Sequence, residues 1–248
     1  MGLVVYADFA SASCYLASLR VDALTAAGVP VDWRAVETEP RLPVTGRRLD
    51  AAEHEALQHE LDLLDRVLLP GEQLSVSLPA FRPNTRGAVA AYAEAYAAGV
   101  ADDVRRLLFD AYWTRGADIG SAEVLRRLLA GPILRGRSTA APMSALDSVV
   151  SSSRGPITTD AWRRIRDWSE RRQRLGARPL PVLVVDGWQP VSGETALRRL
   201  EKEMLRGEAT PAPVLPDPGR FPAVDDPPHF SWLSEVGGRW RHAWKAAL

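Results

Sequence analysis

One cysteine, Cys14, is the whole thiol content of a 248-residue chain. A lone thiol excludes an intramolecular disulfide and a cysteine-based metal cluster. Excess charge of either sign is also missing, because 31 Lys and Arg balance 31 Asp and Glu. No global field therefore recruits nucleic acid or an anionic membrane. No apolar run reaches the length of a membrane span. The opening Met1-Gly2-Leu3-Val4-Val5-Tyr6-Ala7-Asp8 lacks the basic leader and apolar stretch of a signal peptide. A myristoylation signal wants Ser or Thr where Tyr6 stands. Nor is there a glycine-rich phosphate loop or a Gly-x-Ser-x-Gly elbow, so nucleotide binding and ordinary serine hydrolysis have no support. The expectation is a cytoplasmic protein, its thiol kept reduced, with no nucleic-acid or membrane partner.

What is present is ordinary for a globular chain: 46% of residues are apolar and 25% are charged. The length suits one large domain or two small ones. Residues 3–6 form a short apolar, β-branched run that predicts a buried strand, ended by Ala7-Asp8-Phe9. Cys14, Tyr15, Leu16, Leu19 and Leu24 then recur at helical spacing, with serine before them as N-cap and Gly28 as the stop. Residues 29–36 alternate loosely and predict a second strand, parallel to the first through a right-handed crossover.

From residue 50 to about 175 the pattern turns helical. Leu57, Leu61, Leu64 and Leu68 line one face; Val89, Tyr92 and Tyr96 line the next helix, which starts after Pro83-Asn84. Val104, Leu107, Leu108, Ala111 and Tyr112 continue the pattern, and residues 124–129 add a short helix. Residues 131–142, rich in Gly, Pro and Arg, predict a loop, and residues 161–174 predict another helix. Strand signals return at Pro181-Val182-Leu183-Val184-Val185. The Asp186-Gly187 turn after them predicts that residues 188–191 pair back antiparallel. Ser192-Gly193-Glu194 opens a last amphipathic helix through Leu197, Leu200 and Leu205. A proline-rich stretch, 211–228, and an aromatic segment with Trp232, Trp240 and Trp244 complete the chain.

The order is βαβ, a helical insertion, then ββα: an α/β class chain with a thioredoxin-like core. The expected parts are residues 1–45 with 177–206 for that core, 46–176 for an all-helical insertion, and 207–248 for a Pro/Trp-rich tail.

Several residue groups carry a detailed likeness. These are Val31-Asp32-Trp33-Arg34 with Glu39-Pro40, Pro83-Asn84-Thr85, and Leu108-Phe109-Asp110-Ala111-Tyr112-Trp113 with Gly116 and Asp118-Ile119. With the 181–187 strand and turn and Ser192-Gly193 after it, their order and spacing resemble the DsbA family of thioredoxin-fold proteins, in its FrnE-like branch. The resemblance covers most of residues 1–206. It implies that the peptide bond between Leu180 and Pro181 is cis and that its loop faces the redox motif. Apart from the resemblance, Pro181 also fits a trans proline at the first position of a strand.

Active members of that family carry cysteine at the positions of Ser11 and Cys14. Here the motif reads Ser11-Ala12-Ser13-Cys14, and an alcohol forms no disulfide, so dithiol exchange within it is excluded. Three readings of the motif stand. In the first, Ser11 keeps the place of the serine that, in the related kappa-class glutathione transferases and hydroxychromene-carboxylate isomerases, donates a hydrogen bond to the thiol of bound glutathione. Ser13, Leu180, Pro181, Ser192, Gly193 and Glu194 would then line the thiol site, and a low-molecular-weight thiol such as glutathione would be the cofactor, not covalently held. The second uses Cys14 as a lone reactive thiol, against its reading as a buried core residue. The third is a non-catalytic module that takes a peptide, ligand or partner protein between Ser11 and Pro181. The Trp-rich tail would cover its own domain or seal a homodimer.

No metal site is expected. His54 and His59 stand five positions apart, on different helical faces, and His229 and His242 have no partner at ligand spacing. The run of Arg163, Arg164, Arg166, Arg171, Arg172 and Arg174, interleaved with Asp160, Asp167 and Glu170, reads as a solvated helical face.

Overall fold

The computed structural model describes residues 2–139, 148–150, 156–207 and 209. The chain divides into two units, Met1–Leu215 and Pro216–Leu248, and all described residues belong to the first. The expectations placed on the tail, including Trp232, Trp240 and Trp244 and the homodimer seal, lie outside the described residues.

The core is a four-stranded sheet in the order β2 (Val31–Ala35), β1 (Leu3–Ala7), β7 (Val182–Val185), β8 (Val191–Ser192). Strands β1 (Leu3–Ala7) and β2 (Val31–Ala35) run parallel, with Tyr6 opposite Arg34. Between them lies helix α1 (Ala12–Ala26). Strand β7 (Val182–Val185) pairs antiparallel with β1, Tyr6 opposite Val182. The hairpin partner β8 (Val191–Ser192) follows, and α7 (Glu194–Arg206) is the last element among the described residues. This is the thioredoxin-like βαβ–ββα core expected from the sequence.

The hairpin is shorter than its turn signal suggests. Among residues 188–191 only Val191 pairs back, opposite Leu183. Pro190 has no N–H to give the ladder, and Trp188 stands in the connection, 60% exposed. On α7 the apolar stripe is Leu197, Leu200 and Met204, all buried, while Leu205 turns to solvent, 73% exposed. The step from Leu200 to Met204 keeps helical spacing; Leu205 lies about a hundred degrees further round the helix.

Helix α1 is buried on most of its circumference because it packs against α7, α4 (Ala101–Trp113) and α2 (Ala51–Asp65) as well as the sheet. It ends where Gly28, at φ 80°, donates to the Thr25 carbonyl and Val29 donates to Leu24. That pattern satisfies the last free carbonyls and needs the left-handed residue that glycine supplies.

Between β2 and β7 come α2 (Ala51–Asp65), α3 (Arg86–Ala97), α4 (Ala101–Trp113), α5 (Ala122–Thr139) and α6 (Thr159–Arg174). The block is predominantly helical and adds two short antiparallel ladders. One joins β3 (Arg47–Arg48) to β4 (Phe81–Arg82), the other β5 (Ser148–Val150) to β6 (Pro156–Thr158). Two-residue and three-residue strands are too short to leave a period in the sequence. The loop expected from residue 131 is instead the second half of α5, which passes through Pro132 to Thr139. Proline tolerates the helical φ and forfeits one backbone bond, and its neighbours Leu128, Leu129, Ala130 and Ile133 favour or accept helix.

Helix α4 ties the insertion to the core. Phe109 stacks on Tyr15 at 5.6 Å between ring centroids, and contacts Phe9 at 5.0 Å and Trp33 at 5.8 Å. Trp113 Nε1 donates to the Phe9 carbonyl at 3.0 Å. The segment that leads from β1 into α1 is therefore held by the insertion, through rings that are all buried.

Candidate functional site around Ser11

Strand β1 delivers the chain to the site through Asp8, whose carboxylate is buried. Asp8 Oδ2 accepts from the Thr38 amide at 2.8 Å and from the Thr38 hydroxyl at 2.6 Å, and Oδ1 accepts from the Ala10 amide at 3.1 Å. Burial raises its pKa above the usual carboxylate range, and these donors oppose the shift. Asp8 thus fastens the loop before α1 to the loop after β2. Sequence reasoning took it only as the end of a strand; its one signal is an acid at the carboxyl end of a buried β1.

Ser11 is the N-cap of α1, with φ −105° and ψ 125°. Its Oγ accepts from the Cys14 amide at 3.3 Å, and its carbonyl accepts from the Tyr15 amide at 3.1 Å. The residue is half-buried, and its hydroxyl also lies within hydrogen-bonding reach of the Cys14 thiol. Ser11 therefore satisfies the helix with its lone pair and sets a hydroxyl beside the Cys14 thiol, at the end of a helix that favours negative charge.

Cys14 has no exposed surface. Burial pushes its thiol up to about 12, while the Ser11 hydroxyl works in the opposite direction. At neutral pH roughly one molecule in 10^5 would hold a thiolate there. Cys14 is a buried core cysteine, which stands against its reading as a lone reactive thiol: the nucleophilic form is suppressed by the same burial that hides the sulfur.

Ser13, one position on, is half-buried, and its hydroxyl donates to Glu60 Oε1 at 3.0 Å. This brings α2 against the motif, a contact no sequence pattern announced. The Leu180–Pro181 bond is cis. The register that sets Tyr6 opposite Val182 places Pro181 beside the end of β1 where the chain turns toward Ser11. Gly193, at φ 56° and ψ −133°, donates its N–H to the Pro181 carbonyl at 2.9 Å. Ser192 pairs with Val182 in the ladder. Leu180 is half-buried and Pro181 buried. The structure therefore joins Pro181, Ser192 and Gly193 in one hydrogen-bonded corner, and sheet register brings that corner to the motif's end of β1. Glu194 is exposed, and its carboxylate is engaged by Arg198 one turn along α7 at 2.7 Å.

Around Pro181 the α6–β7 connection is held by two arginines. Arg172 donates from Nη1 to the Gly176 carbonyl at 2.7 Å and from Nη2 to the Arg178 carbonyl at 2.5 Å. Arg178 in turn donates to the carbonyls of Leu175 at 2.8 Å and Pro190 at 3.2 Å. Four of the α6 arginines fit a solvated face, Arg163, Arg166, Arg171 and Arg174 pairing with Asp160, Glu170, Asp167 and Glu170 on the same helix, whereas Arg164 donates to the Ala93 carbonyl at 3.1 Å and lies over the Tyr96 ring. Arg172 departs from it by reaching back to the chain before Pro181.

No group of three or more His, Cys, Asp or Glu among the described residues is arranged to hold a metal ion. No helix among them is long and apolar enough to cross a membrane.

A family model described as a DSBA-like thioredoxin domain matches residues 2–132. Among curated proteins none matches. Solved structures share the fold. A probable DsbA oxidoreductase from Streptomyces coelicolor is 18% identical with a TM-score of 0.59, over 87% of this chain and 94% of that one. The cytosolic disulfide reductase DsbM from Pseudomonas aeruginosa is 16% identical with a TM-score of 0.51, over 84% of this chain and 97% of that one. Its structure with GSH aligns at 15% identity and a TM-score of 0.50, over 84% of this chain and 98% of that one.

Proposed function

The chain belongs to the DSBA-like thioredoxin domain family, and from that premise we propose that it is a cytoplasmic, thiol-dependent transferase or isomerase in which Ser11 stabilises the thiolate of a bound low-molecular-weight thiol such as glutathione. The observation that carries this is the polarity of Ser11. Its Oγ accepts from the Cys14 amide at the start of α1, and its hydroxyl proton, which also reaches the Cys14 thiol, is the group that would turn to a bound thiolate. A thiolate there receives one hydrogen bond and the favourable end of the helix dipole, which together lower the pKa of the ligand's thiol. The thiolate sulfur then attacks an electrophilic carbon and expels its leaving group. In an isomerase it adds to a conjugated bond, which becomes single and rotates, and leaves again with its electron pair.

The family's usual dithiol exchange needs a second thiol that this chain lacks at position 11. Support for a glutathione-like ligand comes from the fold neighbour DsbM, whose structure is described with GSH. Leu180, Pro181, Ser192 and Gly193 would form the wall of the thiol site. Titration calorimetry with glutathione and with other small thiols tests the proposal. Binding is expected, weakened roughly tenfold by Ser11→Ala, the loss of one hydrogen bond to a charged group. If no thiol binds, the alternative takes its place: a non-catalytic module that holds a peptide, ligand or partner protein in the same position.

A further inference from the structure

Between α2 and β4 the chain passes through residues 72–79 without a helix, strand, turn or bend. Such a run is extended, and its exposure alternates as in a strand with one face covered. Leu74 and Val76 are half-buried, while Gln73, Ser75 and Ser77 are exposed. Both ends are fastened. The Glu72 carboxylate holds the buried Arg20 of α1, and the Ser77 amide donates at 2.7 Å to the carbonyl of Trp113, the last residue of α4.

The Ser77 bond fixes which edge is free. In an extended chain the N–H and C=O of one residue point to the same side, and those of the next residue to the opposite side. With Ser77 turned toward α4, Ser75 shares its side. Leu74, Val76 and Leu78 then present their backbone groups on the other edge. None of these backbone groups has a hydrogen bond among the described residues. A row of unpaired donors and acceptors is the template that an edge strand offers to another chain.

The segment's own pattern selects the occupant. Residues 73–79 carry no charge, and the flanking Glu72 is turned inward to Arg20. Antiparallel pairing about a two-fold axis at Val76 sets Val76 opposite its own copy and Leu74 opposite Leu78. Each pair exchanges two backbone bonds, the apolar side chains share one face, and no like charges are opposed. We propose that residues 73–78 are a docking strand for the same segment of a second copy, giving a two-fold dimer joined by an antiparallel ladder centred on Val76. The inference stands apart from the thiol-binding reading of Ser11.

Sedimentation velocity of the full chain over a concentration series tests it, and a monomer–dimer equilibrium is expected. Val76→Pro keeps an extended backbone and removes the central N–H from both copies. It should weaken the dimer roughly tenfold or more, the scale of two lost hydrogen bonds. Val76→Ala keeps the N–H and should stay close to the unaltered chain. The exposed serines give a second test that leaves the backbone intact, because this register sets Ser75 opposite Ser77 of the second copy. Ser75→Glu with Ser77→Glu opposes like charges and should weaken association roughly tenfold, whereas Ser75→Lys with Ser77→Glu opposes unlike charges and should preserve it. A chain that stays monomeric throughout the series, as it would if the strand served a different extended partner, overturns the proposal. So does a dimer that Val76→Pro leaves unchanged, or equal weakening by the two serine double variants.

Discussion

The Cys14 amide donates to the Ser11 Oγ at 3.3 Å, so the two ends of the motif are already bonded to one another without a disulfide. A sulfur at position 11 would take over a helix N-terminus where free amides stabilise an anion. Ser11→Cys is therefore expected to carry a thiol with a pKa below the ordinary value of about 8.5, and to form a disulfide with Cys14 on mild oxidation. Thiolate absorbance near 240 nm against pH would read the first effect and mass spectrometry after alkylation the second. An introduced thiol with an ordinary or raised pKa would mean that the start of α1 does not stabilise anions, which removes the basis for placing a thiolate there.

Cys14 gives the alkaline limb of stability a definite sign. Its thiol pKa rises from 9.0 to about 12 through burial. A group whose pKa is raised on folding contributes stability that is complete below the unfolded value and is lost as pH climbs toward the folded one. The loss runs through the window from 9 to 12, and each pH unit within it is worth about 1.4 kcal/mol. Cys14→Ala should therefore lose less stability than the unaltered chain between pH 8 and pH 10, by on the order of 1 kcal/mol, in urea titrations at the two values. In the unaltered chain a thiol reagent should react with Cys14 only after denaturation. Rapid labelling of the folded chain would contradict the burial.

The core of this fold was legible because its signals are periodic and local. The β-branched run at residues 3–6, the Asp186-Gly187 turn and the serine before an apolar helical repeat each map onto an observed element. The shortfalls have physical causes. Pro190 cut the hairpin ladder, Pro132 suggested a stop that its helix-compatible neighbours overrode, and strands of two or three residues left no pattern. In the site, Ser11 could be read from its place at a helix start. Glu60 and Arg172 could not, since their meaning lies in contacts across 47 positions to Ser13 and across the α6–β7 turn. Arg172 was hidden among neighbours that do pair along their own helix.

Arg20 and Glu72 supply a test of what holds α1 in place. Arg20 has no exposed side chain, and its Nε and Nη2 meet both carboxylate oxygens of Glu72 at 2.9 and 2.8 Å, while Nη1 donates to the Leu197 carbonyl at 2.8 Å. One guanidinium thus joins α1, α7 and the chain after α2. Removing one member leaves the other charged in a dry setting, so Glu72→Leu or Arg20→Met should each cost about 3–5 kcal/mol. The double variant Arg20→Met with Glu72→Leu should recover most of that loss, because paired apolar groups remove the desolvation cost. Equilibrium urea unfolding of the four proteins reads the cycle, and simple additivity of the two single losses would show that the pair is not coupled.

Gly193 lets the Pro181 corner and the start of α7 share one residue. At φ 56° and ψ −133° it sits in backbone territory that side chains avoid, and an added Cβ would lie 3.4 Å from the Pro179 ring. Its N–H reaches the Pro181 carbonyl while its own carbonyl accepts from the Ala196 and Leu197 amides at 3.0 and 3.2 Å. Any relaxation of the backbone toward a normal φ must therefore break the corner or unwind the first turn of α7. Gly193→Ala is expected to cost roughly 1–3 kcal/mol, the strain of holding a side chain in such a conformation. Local relaxation should also speed hydrogen exchange at the Gly193 and Leu197 amides more than at β1. Thermal unfolding and residue-resolved exchange would measure the two effects. Uniform acceleration across the sheet would instead place the damage in global stability and detach Gly193 from the site.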